Sequence, residues 1–267
     1  MADPNNPYAP PQAPVEDVAE AVHADGFLPE GRGVPAANGW AWIADAWRFT
    51  SGQRWVFLGV ILLLWIVQLG VNFVPVLGPL ASTFLAPFLV AGFTLGCDAV
   101  RRGQQLEVGH LFLGFQRRYA GKLLLTGAVS FAMYIAMGLV VAAIILASIG
   151  PALFQSGQPP TPEVMGQYWL EILLAILVFM ALSVPATMAL LFVPPLVVLN
   201  DTEVIAAVRV SFIACLKNVV PFLIWGIVGL VMLVLATPVF LFVGWFFAGA
   251  LLVVSLYVSY RDIFYDI

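Results

Sequence analysis

The sequence has few charged residues, and four long stretches contain no Asp, Glu, Lys or Arg. These stretches are residues 55–97, 123–162, 172–200 and 219–260. Charged residues make up 10% of the chain and hydrophobic residues 62%, whereas a soluble domain is about a quarter charged and about half apolar. A soluble fold of 267 residues has too small an interior for this apolar surface. The composition therefore excludes that class and predicts an all-α, polytopic membrane protein.

Residue types that often carry catalysis are also scarce. The chain has two His and two Cys residues, and neither pair has the spacing of a metal site or a redox motif. We recognise no phosphate-binding loop, no Ser-His-Asp set and no pair of intramembrane carboxylates. No run of basic residues is longer than two, which argues against a nucleic-acid partner. We therefore expect no enzymatic activity, no cofactor and no bound metal.

Acidic residues are concentrated at the beginning of the chain. The formal net charge is −4, and six of the 15 acidic residues fall within the first thirty positions. Residues 1–39 also contain seven prolines and no apolar helical period. This pattern predicts a disordered, proline-rich acidic tail over 1–39, followed by a membrane domain over 40–267. The tail lacks the apolar core of a signal peptide, so we expect the first span to direct insertion.

The charge-free stretches predict six membrane spans, because one span needs about 20 apolar residues. Two of the stretches are twice that length and contain proline near the middle, which predicts a tight turn between two spans. The predicted spans are residues 55–74, 79–97, 123–148, 169–199, 219–236 and 239–260. The fourth span is long, and Pro185 and the pair Pro194-Pro195 are expected to bend it.

The positions of the basic residues predict how the chain is threaded. All 11 Lys and Arg residues fall in segments that face one compartment if the chain crosses the membrane six times. The three opposite connections contain none. Since basic residues are retained in the cytoplasm during insertion, we predict that both termini are cytoplasmic.

The three segments that precede the odd-numbered spans share a pattern. Each has apolar residues at helical spacing and a cation where the span begins, which predicts three interfacial amphipathic helices, each leading into a membrane hairpin. The matching positions are Trp47 and Arg54, Phe115 and Lys122, and Phe212 and Lys217. The expected apolar faces are Trp40, Ile43 and Trp47; Leu111, Phe115 and Tyr119; and Ile205, Val208, Phe212 and Leu216.

An aspartate closes each of these units, at Asp98, Asp201 and Asp262. The first and third units have nearly the same length from leading cation to aspartate, and the middle unit is longer by an external loop and longer helices. We interpret the chain as an internal threefold repeat. The alternative is that any six-span protein places cations before its spans through the topology rule alone.

Polar side chains within the spans are rare enough to be singled out. Gln68 and Asn72 share one face of the first span, and Ser130 and Tyr134 have the same spacing in the third. Hydrogen bonding between helices is the first interpretation, and a path for a polar solute is the alternative. Glu171 lies near the outer boundary of the fourth span, where we interpret it as an interfacial carboxylate rather than a proton-relay group.

Several motifs resemble an uncharacterised family of bacterial six-span inner-membrane proteins, found mainly in proteobacteria. The motifs are FVPPLVVLND at 192–201, SFIACLKN at 211–218, YVSYRDIF at 257–264, GWAWI at 39–43 and HLFLGF at 110–115. The resemblance covers about residues 34–264 and implies a location in the bacterial inner membrane, without implying an activity. A looser similarity exists to the non-catalytic membrane domain of some glycerophosphodiester phosphodiesterases.

These observations favour a non-enzymatic membrane component that organises lipid or a membrane protein partner. Interfacial aromatic and basic residues are abundant, whereas buried polar groups are scarce. The alternative is a transporter or channel for a small or amphipathic solute, with Gln68, Asn72 and the bent fourth span lining its path. A lipid-modifying enzyme ranks third.

Overall fold

The computed structural model describes residues 26–156, 166, 168–237 and 241–266, which are almost entirely helical. The first half of the chain forms α1 (Asn38–Phe49), α2 (Arg54–Asn72), α3 (Leu77–Arg101), a 3-10 helix (Val108–Phe115) and α4 (Arg117–Ser156). The second half forms α5 (Trp169–Leu190), α6 (Val193–Asn200), α7 (Val204–Lys217), α8 (Val219–Ala236) and α9 (Leu241–Phe264).

Within the described residues, six segments are long and apolar enough to cross a membrane, which confirms the predicted all-α class and the number of candidate spans. They are Arg54–Asn72, Leu77–Arg101, Arg117–Ser148, Trp169–Asn200, Val219–Ala236 and Val243–Phe264. Most of their apolar side chains point away from the protein; α8, for example, buries Pro221 and Gly229 and exposes most of its other residues. This inverted distribution fits a multi-pass membrane protein, in which lipid covers the outward faces.

The turn between α2 and α3 is tight and depends on one glycine. Val76 adopts a left-handed backbone conformation with φ of 64°, and the Leu77 N–H donates to the Pro75 carbonyl over 2.7 Å. A Cβ atom at Gly78 would collide with the Val71 carbonyl oxygen, so a larger residue would open the turn. The second predicted turn, near Pro238, lies outside the described residues.

The fourth span is broken rather than merely bent. Helix α5 ends at Leu190 and α6 begins at Val193, with Pro194 at its start. Proline has no backbone N–H, and the first N–H groups of a helix have no partner within the helix, so proline is tolerated at these positions. The Ser211 hydroxyl of α7 accepts from the Phe192 N–H over 3.1 Å and donates to the Met188 carbonyl over 2.7 Å, so it satisfies backbone groups released by the break.

The shorter helices pack against spans that precede them or lie at the other end of the chain. Helix α1 packs against α8 and α9, the 3-10 helix against α3, and α7 against α5. Glycine permits two of these approaches: a Cβ at Gly39 would collide with the Pro221 carbonyl oxygen, and one at Gly92 with the Leu111 carbonyl oxygen.

The helical continuity expected for the second short segment was wrong, whereas in α1 and α7 the side chains that pack on the protein differ from most of the expected apolar face. Residues 108–115 form a 3-10 helix, and Gln116 is extended with ψ of 141°, so Phe115 and Tyr119 do not belong to one helix. In α1 and α7 the predicted faces include exposed residues, among them Trp40, Trp47, Ile205 and Leu216. The faces that pack on the protein carry Trp42 and Ala46 in α1, and Val204, Ala207 and Ser211 in α7.

Residues 26–39, the last part of the segment that the sequence predicts to be a disordered tail, pack against the end of α9. The Leu28 N–H donates to the Phe264 carbonyl over 2.8 Å, and the Arg32 N–H donates to the Ile263 carbonyl over 2.9 Å. The Val34 N–H donates to the Asn218 side chain over 2.8 Å. We call residues 26–37 the N-terminal strap; residues 1–25 lie outside the described part of the chain.

Buried side chains concentrate where the helix ends carry Lys and Arg, which we call the basic end of the bundle. One cluster surrounds Trp42, Phe192 and Tyr260, and a second surrounds Phe57 and Leu89. At the opposite end the helices expose their apolar residues, as Leu69, Phe73 and Leu77 do around the first turn. The well-packed part of the protein therefore lies near the basic end, where it forms the floor of the cavity described next.

Candidate functional site

A cavity of about 570 Å³ lies between the spans. Helices α2 to α6 and α9 contribute its walls, which are mainly apolar. At the mouth, Asn72, Pro79 and Tyr134 are exposed, whereas Thr94 and Thr126 near the basic end are buried. The volume falls within the range of about 300–1,000 Å³ that is typical of small-molecule sites.

The buried polar groups of the cavity wall are hydroxyls bound to their own helices. Thr94 donates to the Val90 carbonyl over 2.8 Å, Thr126 to the Lys122 carbonyl over 2.9 Å, and Ser130 to the Thr126 carbonyl over 2.9 Å. Because these bonds use the hydroxyl protons, each oxygen retains only acceptor capacity for a ligand. The wall therefore suits an apolar molecule that carries a hydrogen-bond donor.

At the mouth, Gln68, Asn72 and Ser82 form one hydrogen-bonded group. The Asn72 amide donates to the Gln68 carbonyl over 2.7 Å and to the Ser82 hydroxyl over 3.0 Å. The Ser82 hydroxyl donates to the Gln68 side-chain oxygen over 3.2 Å. These hydrogen bonds join α2 to α3. Asn72 also lines the cavity, together with Thr187 on the fourth span.

The floor of the cavity contains two tyrosines that connect it to the basic end. The Tyr257 hydroxyl donates to the Asp98 carboxylate over 3.4 Å, and the Tyr260 hydroxyl donates to the Asn200 side chain. Asp98 is buried, and Arg101 forms an ion pair with it over 3.0 Å. The floor is therefore held by a polar layer rather than by apolar packing alone. Nothing in the sequence pattern indicated Tyr257 and Tyr260 as cavity residues.

The three hairpin-end aspartates have different partners. Asp98 pairs with Arg101 and Arg102, which follow it on the same helix end. Asp201 pairs with Lys122 over 3.0 Å. Asp262 accepts from the side chains of Arg32 over 3.2 Å, and of Asn38 and Trp42 over 2.7 Å each; these are residues of the strap and α1.

The leading cations differ in the same way. Lys122 contacts the aspartate of its own unit, whereas Lys217 donates to the carbonyl oxygens of Glu30 and Gly31 in the strap. The Arg54 guanidinium lies 3.8 Å from the centre of the Trp47 ring. The aromatic residues at the matching repeat positions also differ in their surroundings. Phe212 on α7 is half-buried, and Phe115 stacks on Phe88 with ring centres 4.9 Å apart.

Metal or thiol chemistry has no visible site in the described residues. They contain no group of three or more His, Cys, Asp or Glu side chains that could hold a metal ion. Cys97 and Cys215 are buried free thiols. Burial raises the pKa of the Cys215 thiol to about 12, so this group is neutral and unreactive at physiological pH.

No protein-family model, curated protein or solved structure matches the chain. The family resemblance of the C-terminal motifs stays a prediction.

Proposed function

We propose that the protein is a non-enzymatic, multi-pass component of the bacterial inner membrane that organises lipid by holding an amphipathic molecule in its central cavity. The cavity itself carries this proposal: it is mainly apolar, accessible at its mouth and equipped with hydroxyl acceptors. An acyl or isoprenoid chain with one donor group has the matching chemistry. A membrane protein partner on the outward apolar faces stays compatible with this role.

The distribution of charge supports an orientation with both termini in the cytoplasm. Ion pairs and hydrogen bonds join the cation-bearing helix ends to one another, as Lys122 with Asp201 and Gln53 with the Leu106 N–H illustrate. The cations therefore share one layer at one end of the bundle. Retention of such a layer on the cytoplasmic side is the ordinary outcome of insertion.

The packing of the short helices supports the threefold arrangement. The 3-10 helix packs against the second span of the first unit, and α7 packs against the second span of the middle unit. Helix α1 packs against α9, the second span of the last unit. The 3-10 helix and α7 thus each contact the unit before their own, and α1 of the first unit contacts the last unit. The exposed Trp40, Trp47 and Leu216 supply the apolar contact with the interface that an amphipathic helix requires.

Transport of a small or amphipathic solute is the second candidate. Asn72 at the mouth and the broken fourth span, through Pro194 and Pro195, both line the cavity. Irregular backbone at membrane depth is typical of transporter sites. Transport would also require the floor at Tyr257 and Tyr260 to open toward the basic end.

Filling the cavity tests the proposal. Thr187 lines the cavity, and Ser183 lies one turn earlier on α5 without lining it. We expect Thr187→Phe to lose a co-purifying amphipathic molecule that wild type and Ser183→Phe retain, as measured by native mass spectrometry. Equal retention by Thr187→Phe would contradict binding in the cavity. Chemical change of the retained molecule during incubation would instead indicate an enzyme.

Flux measurements separate the two candidates. The molecule identified in wild type is loaded into liposomes that contain wild type, Thr187→Phe or a Gln68→Leu/Asn72→Leu variant. Flux in wild type that the variants abolish would favour the transporter. Binding without flux would favour the organising role.

A further inference from the structure

A second concave site lies away from the cavity, where α1, α2 and α9 meet. This groove has a volume of about 260 Å³ and shares no residue with the cavity lining. Its polar end carries Trp47, Arg54 and Trp55, and its apolar end carries residues such as Ile61 and Leu251. We call it the Arg54 groove.

Arg54 has an unusual environment for a cation at a span boundary. Its guanidinium stacks on Trp47, and its Nε atom is buried without a hydrogen-bond partner. Among the residues that the structure describes, no carboxylate forms an ion pair with it, whereas Arg48 on the same corner pairs with Asp45 over 3.0 Å. Stacking orients the guanidinium but leaves its charge uncompensated.

The groove runs from this cation into the depth of the membrane. Arg54 and Ile61 lie seven positions apart on α2, which corresponds to about 10 Å along the helix axis. Trp47 and Trp55 are more than half exposed at the polar end, where indole rings prefer the headgroup level of a bilayer. The wall below consists of Leu58, Ile61, Phe247 and Leu251. A polar anion above and an apolar chain below match both ends of the groove.

We propose that the Arg54 groove binds an anionic phospholipid, with Arg54 donating to the phosphodiester and the upper part of one acyl chain lying along α2 and α9. A guanidinium binds phosphate oxygens through charge-assisted hydrogen bonds. A lipid with net negative charge is preferred, because a zwitterionic headgroup brings its own cation toward Arg54. The inference concerns a site separate from the cavity and does not depend on the proposed function.

Native mass spectrometry of the purified full chain in a neutral detergent provides the test. Dioleoylphosphatidylglycerol is titrated against dioleoylphosphatidylcholine, and the first binding constant is measured for wild type, Arg54→Gln and Arg48→Gln. We expect wild type to prefer the anionic lipid and Arg54→Gln to weaken its binding about tenfold, equivalent to about 1.4 kcal/mol. Arg48→Gln removes an exposed, paired cation from the same corner and is expected to change binding less than twofold.

Two results of the titration overturn the proposal. Equal affinity of wild type for both lipids removes the electrostatic argument, and equal loss in both variants indicates a diffuse surface charge instead of a site. If Arg54→Gln fails to fold, an anionic phospholipid with a diazirine in its acyl chain is cross-linked to wild type. Labels at Leu58 or Leu251 support the groove, and labels confined to other spans contradict it. Thr187→Phe is expected to leave this binding unchanged, so failure at the cavity is distinguishable from failure here.

Discussion

Asp262 joins the two ends of the described chain, and its replacement by asparagine is the sharpest test of the fold. One carboxylate oxygen accepts from Arg32, and the other accepts from Asn38 and Trp42. An asparagine keeps one acceptor oxygen, so its amide group must face either the guanidinium or two N–H donors. At least one hydrogen bond is lost, and the amide NH2 group of the asparagine then faces another N–H donor.

The expected magnitude follows from these contacts. A hydrogen bond to a charged group contributes about 1.5–3 kcal/mol, but the Asp262 and Arg32 side chains are 20% and 35% exposed, so solvent screening reduces the ionic part. We expect Asp262→Asn to lower the free energy of unfolding by about 2 kcal/mol. For 150–250 residues about 1 kcal/mol corresponds to about 2–4 °C, so Tm should fall by about 4–8 °C.

Thermal unfolding of the protein in detergent, followed by size-exclusion chromatography, measures this shift. Asp45→Asn is the matched control, because Asp45 pairs with Arg48 on an exposed face and should cost less than about 0.5 kcal/mol. Combining Asp262→Asn with Arg32→Gln should cost less than the sum of the two single changes, since both remove the same contact. Equal Tm values for Asp262→Asn and Asp45→Asn would refute the assigned role of Asp262.

Three further predictions concern packing, thiol chemistry and threading. Gly92→Ala should destabilise the protein by about 2 kcal/mol or more in the same assay, through the collision with the 3-10 helix, whereas Gly138→Ala, which faces open space, should be neutral or slightly stabilising. Alkylation of Cys215 in the folded protein should stay slow at pH 8 and accelerate only as the pH approaches 12, because the thiolate is the reactive form and burial raises the pKa of the thiol to about 12. Peptide mass mapping measures the labelling, with the detergent-unfolded protein as the control. Rapid labelling of the folded protein at pH 8 would contradict burial as the cause. A periplasm-dependent reporter should be active at Gly157 and inactive at Gly103, and the reverse pattern would contradict cytoplasmic termini.

The spans were predictable because the absence of charge over about 20 residues is a local property of the sequence. The strap was not predictable in the same way. Leu28 and Arg32 form hydrogen bonds with Phe264 and Asp262, which are more than 200 residues away in sequence, and no local periodicity predicts such contacts. Proline content correctly indicates the lack of helix in this segment but says nothing about packing.

The candidate site was predictable only in part, for a related reason. Asn72 stands out because an amide within an apolar span is costly, and the structure places it at the cavity mouth. Thr126 and Tyr260 resemble many other hydroxyl-bearing residues of membrane helices. Their convergence on one cavity depends on how α4 and α9 are placed around it, which a single sequence does not encode locally. The failed continuity of Phe115 and Tyr119 has a local cause, since the extended Gln116 interrupts the helical spacing.

The packing of α1 has a consequence for the order of synthesis. Trp42 and Gly39 lie on α1, the first helix among the described residues, but their partners lie on α8 and α9, the last two described helices. Until α8 and α9 have been synthesised, the side of α1 that carries Trp42 and Gly39 lacks these partners. The contacts of α1 are therefore among the most distant in sequence, and they can form only after the intervening helices have been synthesised.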